Sequence, residues 1–231
     1  MSDVEFPASV EAIRRVRGDP NRLGHGGHPH HDPEPGTGHA DTGPASKRII
    51  VGYGFWIFLL SDIVMFAAFF AAYAVLKNAT AGGPTSKQLF ELPRVAWETA
   101  FLLASSFTCG LSYAATLTKN KLWTQIFLLI TGVLGLCFVG LELQEFIGMA
   151  QRGATPQRSA FLSGFYALVG LHGLHVSVGG LWLLTMMAQL QVKGFRREIV
   201  RRLLCFNLFW HALDIIWVAL FTVVYLLGVG A

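Results

Sequence analysis

The sequence predicts an all-α polytopic membrane protein, a bundle of five transmembrane helices with a cytoplasmic N-terminus and a periplasmic C-terminus. Three observations predict it. Of 231 residues, 53% are hydrophobic and only 14% charged, where soluble domains average about 25% charged. Five apolar segments, at about 49–76, 95–118, 122–150, 160–190 and 203–229, are each long enough to cross a hydrocarbon core of ~30 Å as a helix. The Lys and Arg residues sit in the short connections. Lys47, Arg48, Lys119, Lys121, Lys193, Arg196, Arg197, Arg201 and Arg202 fall on one side, against Lys77, Lys87, Arg94, Arg152 and Arg158 on the other. The richer side reads as cytoplasmic. The net charge of +4 follows from this loop bias and does not point to nucleic acid.

Residues 1–46 read as a polar cytoplasmic tail. Val4–Arg17 is compatible with a short amphipathic helix on a membrane surface. The stretch from His25 to Pro44 is rich in Gly, Pro and His and cannot bury a core, so disorder is expected. It holds His25, His28, His30, His31 and His39. A solvated linker is the plainer reading of these and a metal-binding tail the alternative. No secretory signal is visible, because the first apolar stretch is too long for one. Residues 47–231 form the membrane domain. Its short connections make neighbouring helices antiparallel, and its segments lack the ~10-residue alternation of barrel strands.

The first segment, 49–76, has one charge, Asp62, about 20 Å deep at ~1.5 Å per residue. An acid there costs at least ~2.5 kcal/mol, so it faces a bundle interior, a cavity or a partner. The second carries Glu98 near its outer end and small residues, Ser105, Ser106 and Gly110. The third carries Glu142 and Glu145 near its outer end. The fourth holds His172 and His175 among glycines that permit close helix approach. The fifth carries Asn207, His211 and Asp214. Cys109, Cys137 and Cys205 all lie in apolar runs and suggest neither disulfide nor zinc.

Asp62, His172, His175, His211 and Asp214 share a central slab. Glu98, Glu142 and Glu145 make a separate outer layer, with Arg94 close by. Both histidine pairs have i,i+3 spacing, which sets each on one helix face. Two His and two Asp suit iron, zinc or manganese, and histidines serve as haem ligands. Intramembrane acids and histidines also mark proton relays. The chain lacks the repeated Glu-x-x-His pairs of di-iron bundles. Polar pairs knitting helices together, at ~0.6 kcal/mol each, account for the pattern more simply.

The motifs, in order, resemble a known family. Gly54–Phe66 (GFWIFLLSDIVMF), Glu98–Ser106 (ETAFLLASS), Phe138–Phe146 (FVGLELQEF), Gly170–Val176 (GLHGLHV) and Phe209–Trp217 (FWHALDIIW) are similar to subunit III of haem–copper oxidases. Within it the resemblance is to the branch of cytochrome bo-type ubiquinol oxidases. The chain has five helices rather than seven, the connection at Asn78–Pro93 lacks a Trp-Pro-Pro element, and Asp62 stands where the cytochrome c branch carries a carbodiimide-reactive Glu.

The resemblance implies a non-catalytic subunit of a proton-pumping complex in the bacterial inner membrane that oxidises ubiquinol and reduces oxygen to water. It implies haem b, haem o (or a) and copper in a catalytic subunit I, with subunit II and a small subunit IV as further partners. It implies no redox centre in this chain, and a bound phospholipid. On that reading Asp62, His172, His175, His211 and Asp214 form a lipid-binding or interface cluster. The alternatives are an accessory protein of a cytochrome c oxidase or nitric oxide reductase, or a stand-alone metal or haem membrane oxidoreductase.

Overall fold

A computed structural model describes residues 47–82 and 92–230. The expectations for the tail at 1–46, including its five histidines, and for Lys87 lie outside the described residues. Five long helices carry the chain: α1 Lys47–Leu76, α2 Leu92–Leu117, α3 Lys121–Gln151, α4 Ala160–Lys193, and α5 beginning at Arg197 and running to Leu220. A π-helical stretch, Phe221–Leu226, extends α5 towards a last turn, Leu227–Gly230. Among the described residues there is no strand. All five helices are long and apolar enough to span a membrane.

The helix ends follow from local chemistry. Pro93 sits in the first turn of α2, where its missing N–H costs nothing. Asn120 and Ser159 cap α3 and α4 by accepting from the amides of Trp123 and Leu162. Gly194, at φ +64°, ends α4 in a conformation suited to glycine. The helix α5 starts six residues before the apolar segment at 203. Its charged first turns carry Glu198, which suits a helix N-terminus, and Arg202, which donates to Gln189 of α4 at 2.8 Å.

Buried positions repeat with alternating steps of three and four along every helix. In α3 they are Thr124, Leu128, Thr131, Gly135, Phe138, Glu142, Glu145 and Met149. In α2 the same rhythm runs Val95, Glu98, Leu102, Ser105, Cys109, Ser112 and Thr116. In α1 it is Leu59, Phe66 and Tyr73, with half-buried Phe55, Asp62, Phe69 and Leu76 between them. A mean period of 3.5 keeps one seam facing its neighbours and matches left-handed helix packing. Asp62, Glu98, Glu142 and Glu145 all occupy seam positions.

The helix α5 sits at the centre of the bundle, packed against α1, α2 and α4. The helices α2 and α3 pack along their length, α3 also meets α4, and α1 packs on α4 and α5. Small residues in the α2 seam allow the α2–α3 approach. Ser105 donates to the carbonyl of Thr131, and the hydroxyls of Thr108 and Thr131 are 2.8 Å apart.

Candidate functional site

Glu98, Glu142 and Glu145 form a polar layer in the interior. Glu98 on α2 is fully buried, with Arg94 one turn earlier and its Nε 3.7 Å from the carboxylate. The Arg94 guanidinium also donates to the carbonyl of Leu141 and the side chain of Gln144, at 3.0 and 3.4 Å, tying α2 to α3. Glu142 lies within electrostatic reach of Glu98 and Glu145. Its carboxyl rests against Gly173 of α4, where an added Cβ would stand 2.6 Å from both oxygens. Tyr225 donates its hydroxyl to Glu145 at 3.1 Å.

The π-helical stretch positions that tyrosine. A π turn closes i to i+5 and so takes one residue more than an α turn. Tyr225, eight residues beyond Trp217, therefore packs against it, with ring centres 6.3 Å apart and planes tilted by 50°. A regular helix would place residue 224 there.

Next to the acids lies an aromatic layer around His172. This residue is fully buried, its ring 5.2 Å from Trp217, 5.8 Å from Phe138 and 6.4 Å from Phe66. Neither ring nitrogen has a hydrogen-bond partner. His175 packs on Phe66 at 5.2 Å, and its Nδ1 lies 2.8 Å from the Leu171 carbonyl. Phe66 thus brings the α4 histidines together against α1.

The other pair faces elsewhere. His211 Nδ1 lies 2.8 Å from the carbonyl of Asn207 on its own helix, while Nε2 points at Gly110 of α2. Asp214 lies near Ser106 and His211. His211 and Asp214 make no hydrogen bond to each other. The central residues therefore face different neighbours: His172 sits among Trp217 of α5, Phe138 of α3 and Phe66 of α1, His175 packs on Phe66, and His211 and Asp214 face α2. Asp62 stands one turn from Phe66 on the same face, half-buried, with no hydrogen-bond partner among the described residues. Among the described residues Asp62 makes no hydrogen bond to His172 or His211, the histidines that share its slab.

Among the described residues, the buried side-chain atoms lacking a hydrogen bond belong to Arg94, Glu98, Glu142, His172 and Asp214. A buried polar atom left without any partner costs roughly 1–3 kcal/mol; for Arg94 Nε and Glu98 Oε1 their ion pair at 3.7 Å offsets part of this. No group of three or more His, Cys, Asp or Glu side chains among the described residues has the geometry to hold a metal ion. The arrangement provides carboxyl groups, imidazoles and one guanidinium in an apolar surround, spread over several seams rather than converging on one point.

Sequence reasoning missed two interhelical hydrogen bonds made by tryptophans of α5. Trp217 Nε1 donates to Thr99 Oγ1 and Trp210 Nε1 to Ser105 Oγ, each at 3.0 Å. Trp210 continues through Ser105 to the Thr131 carbonyl, so one indole links α5, α2 and α3. Its ring fills a hollow floored by Gly135 of α3 and Gly179 of α4, where added Cβ atoms would lie 2.9 and 3.0 Å from it. The i,i+7 repeat of two tryptophans on one helix was the available signal.

Comparison with known proteins gives a consistent result. The family model described as cytochrome c oxidase subunit III matches residues 40–229. The cytochrome bo(3) ubiquinol oxidase subunit 3 of Pseudomonas aeruginosa is 50% identical over 176 residues, 76% of this chain and 84% of that protein. The quinol oxidase subunit 3 of Bacillus subtilis is 42% identical over 177 residues, 77% and 87% of the two chains. A protein of Bacillus sp. (strain PS3) named cytochrome c oxidase subunit 3 is 43% identical over 177 residues, 76% and 84%.

Proposed function

We infer the function from the family to which this chain belongs, that of cytochrome c oxidase subunit III. The chain is a multi-pass protein of the bacterial inner membrane and a subunit III of a haem–copper quinol oxidase, in a complex whose cofactors reside in other subunits. The single observation that carries the quinol reading is the 50% identity to a ubiquinol oxidase subunit 3 across most of both chains.

Further detail is our proposal. The chain is non-catalytic and steadies a catalytic subunit I that holds haem b, haem o (or a) and copper. Subunit II and a small subunit IV complete the complex. The 1–46 tail and the Lys/Arg-rich loops face the cytoplasm, as the charge bias supports. Asp62 lies in the one seam that α1 uses for α4 and α5, so it sets the polarity of that joint and of whatever lipid or subunit lies beside it.

Replacing Asp62 by Asn tests this in the purified complex. Haem content per complex should be unchanged, and the chain should be lost at milder detergent treatment. Loss of all oxygen reduction in an assembled, haem-replete complex would sink the accessory reading. Haem types and the electron donor accepted by the same preparation separate it from the cytochrome c branch, to which one relative belongs by name.

A further inference from the structure

The helix α5 changes register near its end. The amide of Phe221 donates to the carbonyls of Trp217 and Val218, three and four residues back. The amide of Leu227 donates to the carbonyl of Thr222, five residues back. From His211 to Leu227 the sequence has neither proline nor glycine, so its covalent chemistry does not stop an α-helix there. Thr222, Val223 and Val224 are β-branched, and the Thr222 hydroxyl donates to the Val218 carbonyl at 2.8 Å. Both features weaken the α ladder without abolishing it. The extra residue is therefore held by contacts outside the helix.

Two seams are written into the same residues. Leu213, Trp217 and Leu220 are buried at steps of four and three. A regular α-helix continues that rhythm to Val224 and Leu227, an apolar seam up to the last turn. In such a helix Tyr225 stands about two turns beyond Val218, which is 43% exposed, and so faces out of the bundle. The π turn exchanges the two side chains: Tyr225 is fully buried and Leu227 is 60% exposed. The tyrosine ring then meets Phe165 of α4 at 6.0 Å as well as Trp217, and its hydroxyl reaches Glu145 of α3. Leaving a leucine among lipid tails costs little, because they are as apolar as the leucine. A buried hydrogen bond to a carboxyl group is the larger gain.

We propose that the Glu145–Tyr225 hydrogen bond is a latch on the register of α5, holding a π turn that reverts to α-helix when the bond is lost. Reversion turns the residues beyond Val224 by about 100° and moves them ~1.5 Å along the axis, one residue's share of an α-helix. Leu227 then comes inward above Leu220, and Tyr225 leaves the acid layer. Glu98 of α2 and Glu142 of α3 lie within electrostatic reach of the same tyrosine. The latch thus joins the acid layer to the outer end of the chain, and a change in the layer that withdraws Glu145 from Tyr225 is delivered there as a rotation.

The test is electron cryo-microscopy of the whole purified complex carrying Tyr225→Phe, which removes the hydroxyl and keeps the ring. Residues 221–226 should become α-helical, with Val224 against Trp217 and Leu227 turned inward. Glu145→Gln keeps a carbonyl acceptor and should retain the π turn. Deletion of Val223 decides the matter where Tyr225→Phe fails to assemble: it takes out the extra residue, so a regular helix should carry the tyrosine to Trp217 and Glu145. A π turn that persists in Tyr225→Phe overturns the proposal, because ring packing alone would then hold it. So does loss of the π turn in Glu145→Gln, or its survival after deletion of Val223.

Discussion

Replacing Trp210 by alanine is expected to be the most damaging single change in the membrane domain, at about 3–5 kcal/mol, the range for removing a well-packed tryptophan. The indole is buried between α2, α3, α4 and α5, fills the hollow of Gly135 and Gly179, and carries the hydrogen bond to Ser105. In a membrane the helices gain nothing by hiding apolar surface from lipid, so packing contacts of this kind carry the association. The measurement is the denaturant or temperature midpoint at which this chain leaves the purified complex. Trp210→Phe retains a ring and forfeits the hydrogen bond, and should cost nearer 1 kcal/mol.

Gly135→Val should be nearly as harmful, at about 1–3 kcal/mol from overpacking. Its new side chain runs into the Trp210 ring, which is held in place by Ser105 and cannot retreat. Because the two residues share one volume, their effects should not add. A double-mutant cycle of Gly135→Val with Trp210→Ala should show favourable coupling of about 1 kcal/mol or more. Gly173→Ala is the contrast. Its Cβ meets the flexible end of Glu142 rather than a fixed ring, so its cost should be clearly below that of Gly135→Val. Equal costs at the two glycines would argue against the wedge.

Much of this architecture was legible in the sequence. Segment length and charge placement supplied the five spans, and the spacing of His172 and His175 supplied their shared face. What could not be read was which seam each polar residue joins. His211 and His172 lie at similar depth, and one-dimensional spacing does not reveal that α5, at the centre of the bundle, turns His211 towards α2. Tyr225 was invisible for a different reason: it reaches Glu145 only through the extra residue of a π turn, which shifts every later position on the helix. The tryptophan hydrogen bonds depend on side chains meeting across helices about a hundred residues apart in the chain. Asp62 was legible as an unusual residue, and its seam position explains its half-burial. Its partners were not, because none of the polar groups at its depth turns towards it.

The central claim is that the acids and histidines of this chain organise a bundle, while the redox chemistry belongs to its partners. The most direct measurement is quinol-dependent oxygen consumption per haem after this chain has been stripped from the purified complex with detergent. The account predicts that haem and copper stay with the depleted complex and that it still consumes oxygen, with a shorter working life. Haem or copper leaving with this chain, or a depleted complex that keeps its haem yet consumes no oxygen, would contradict it.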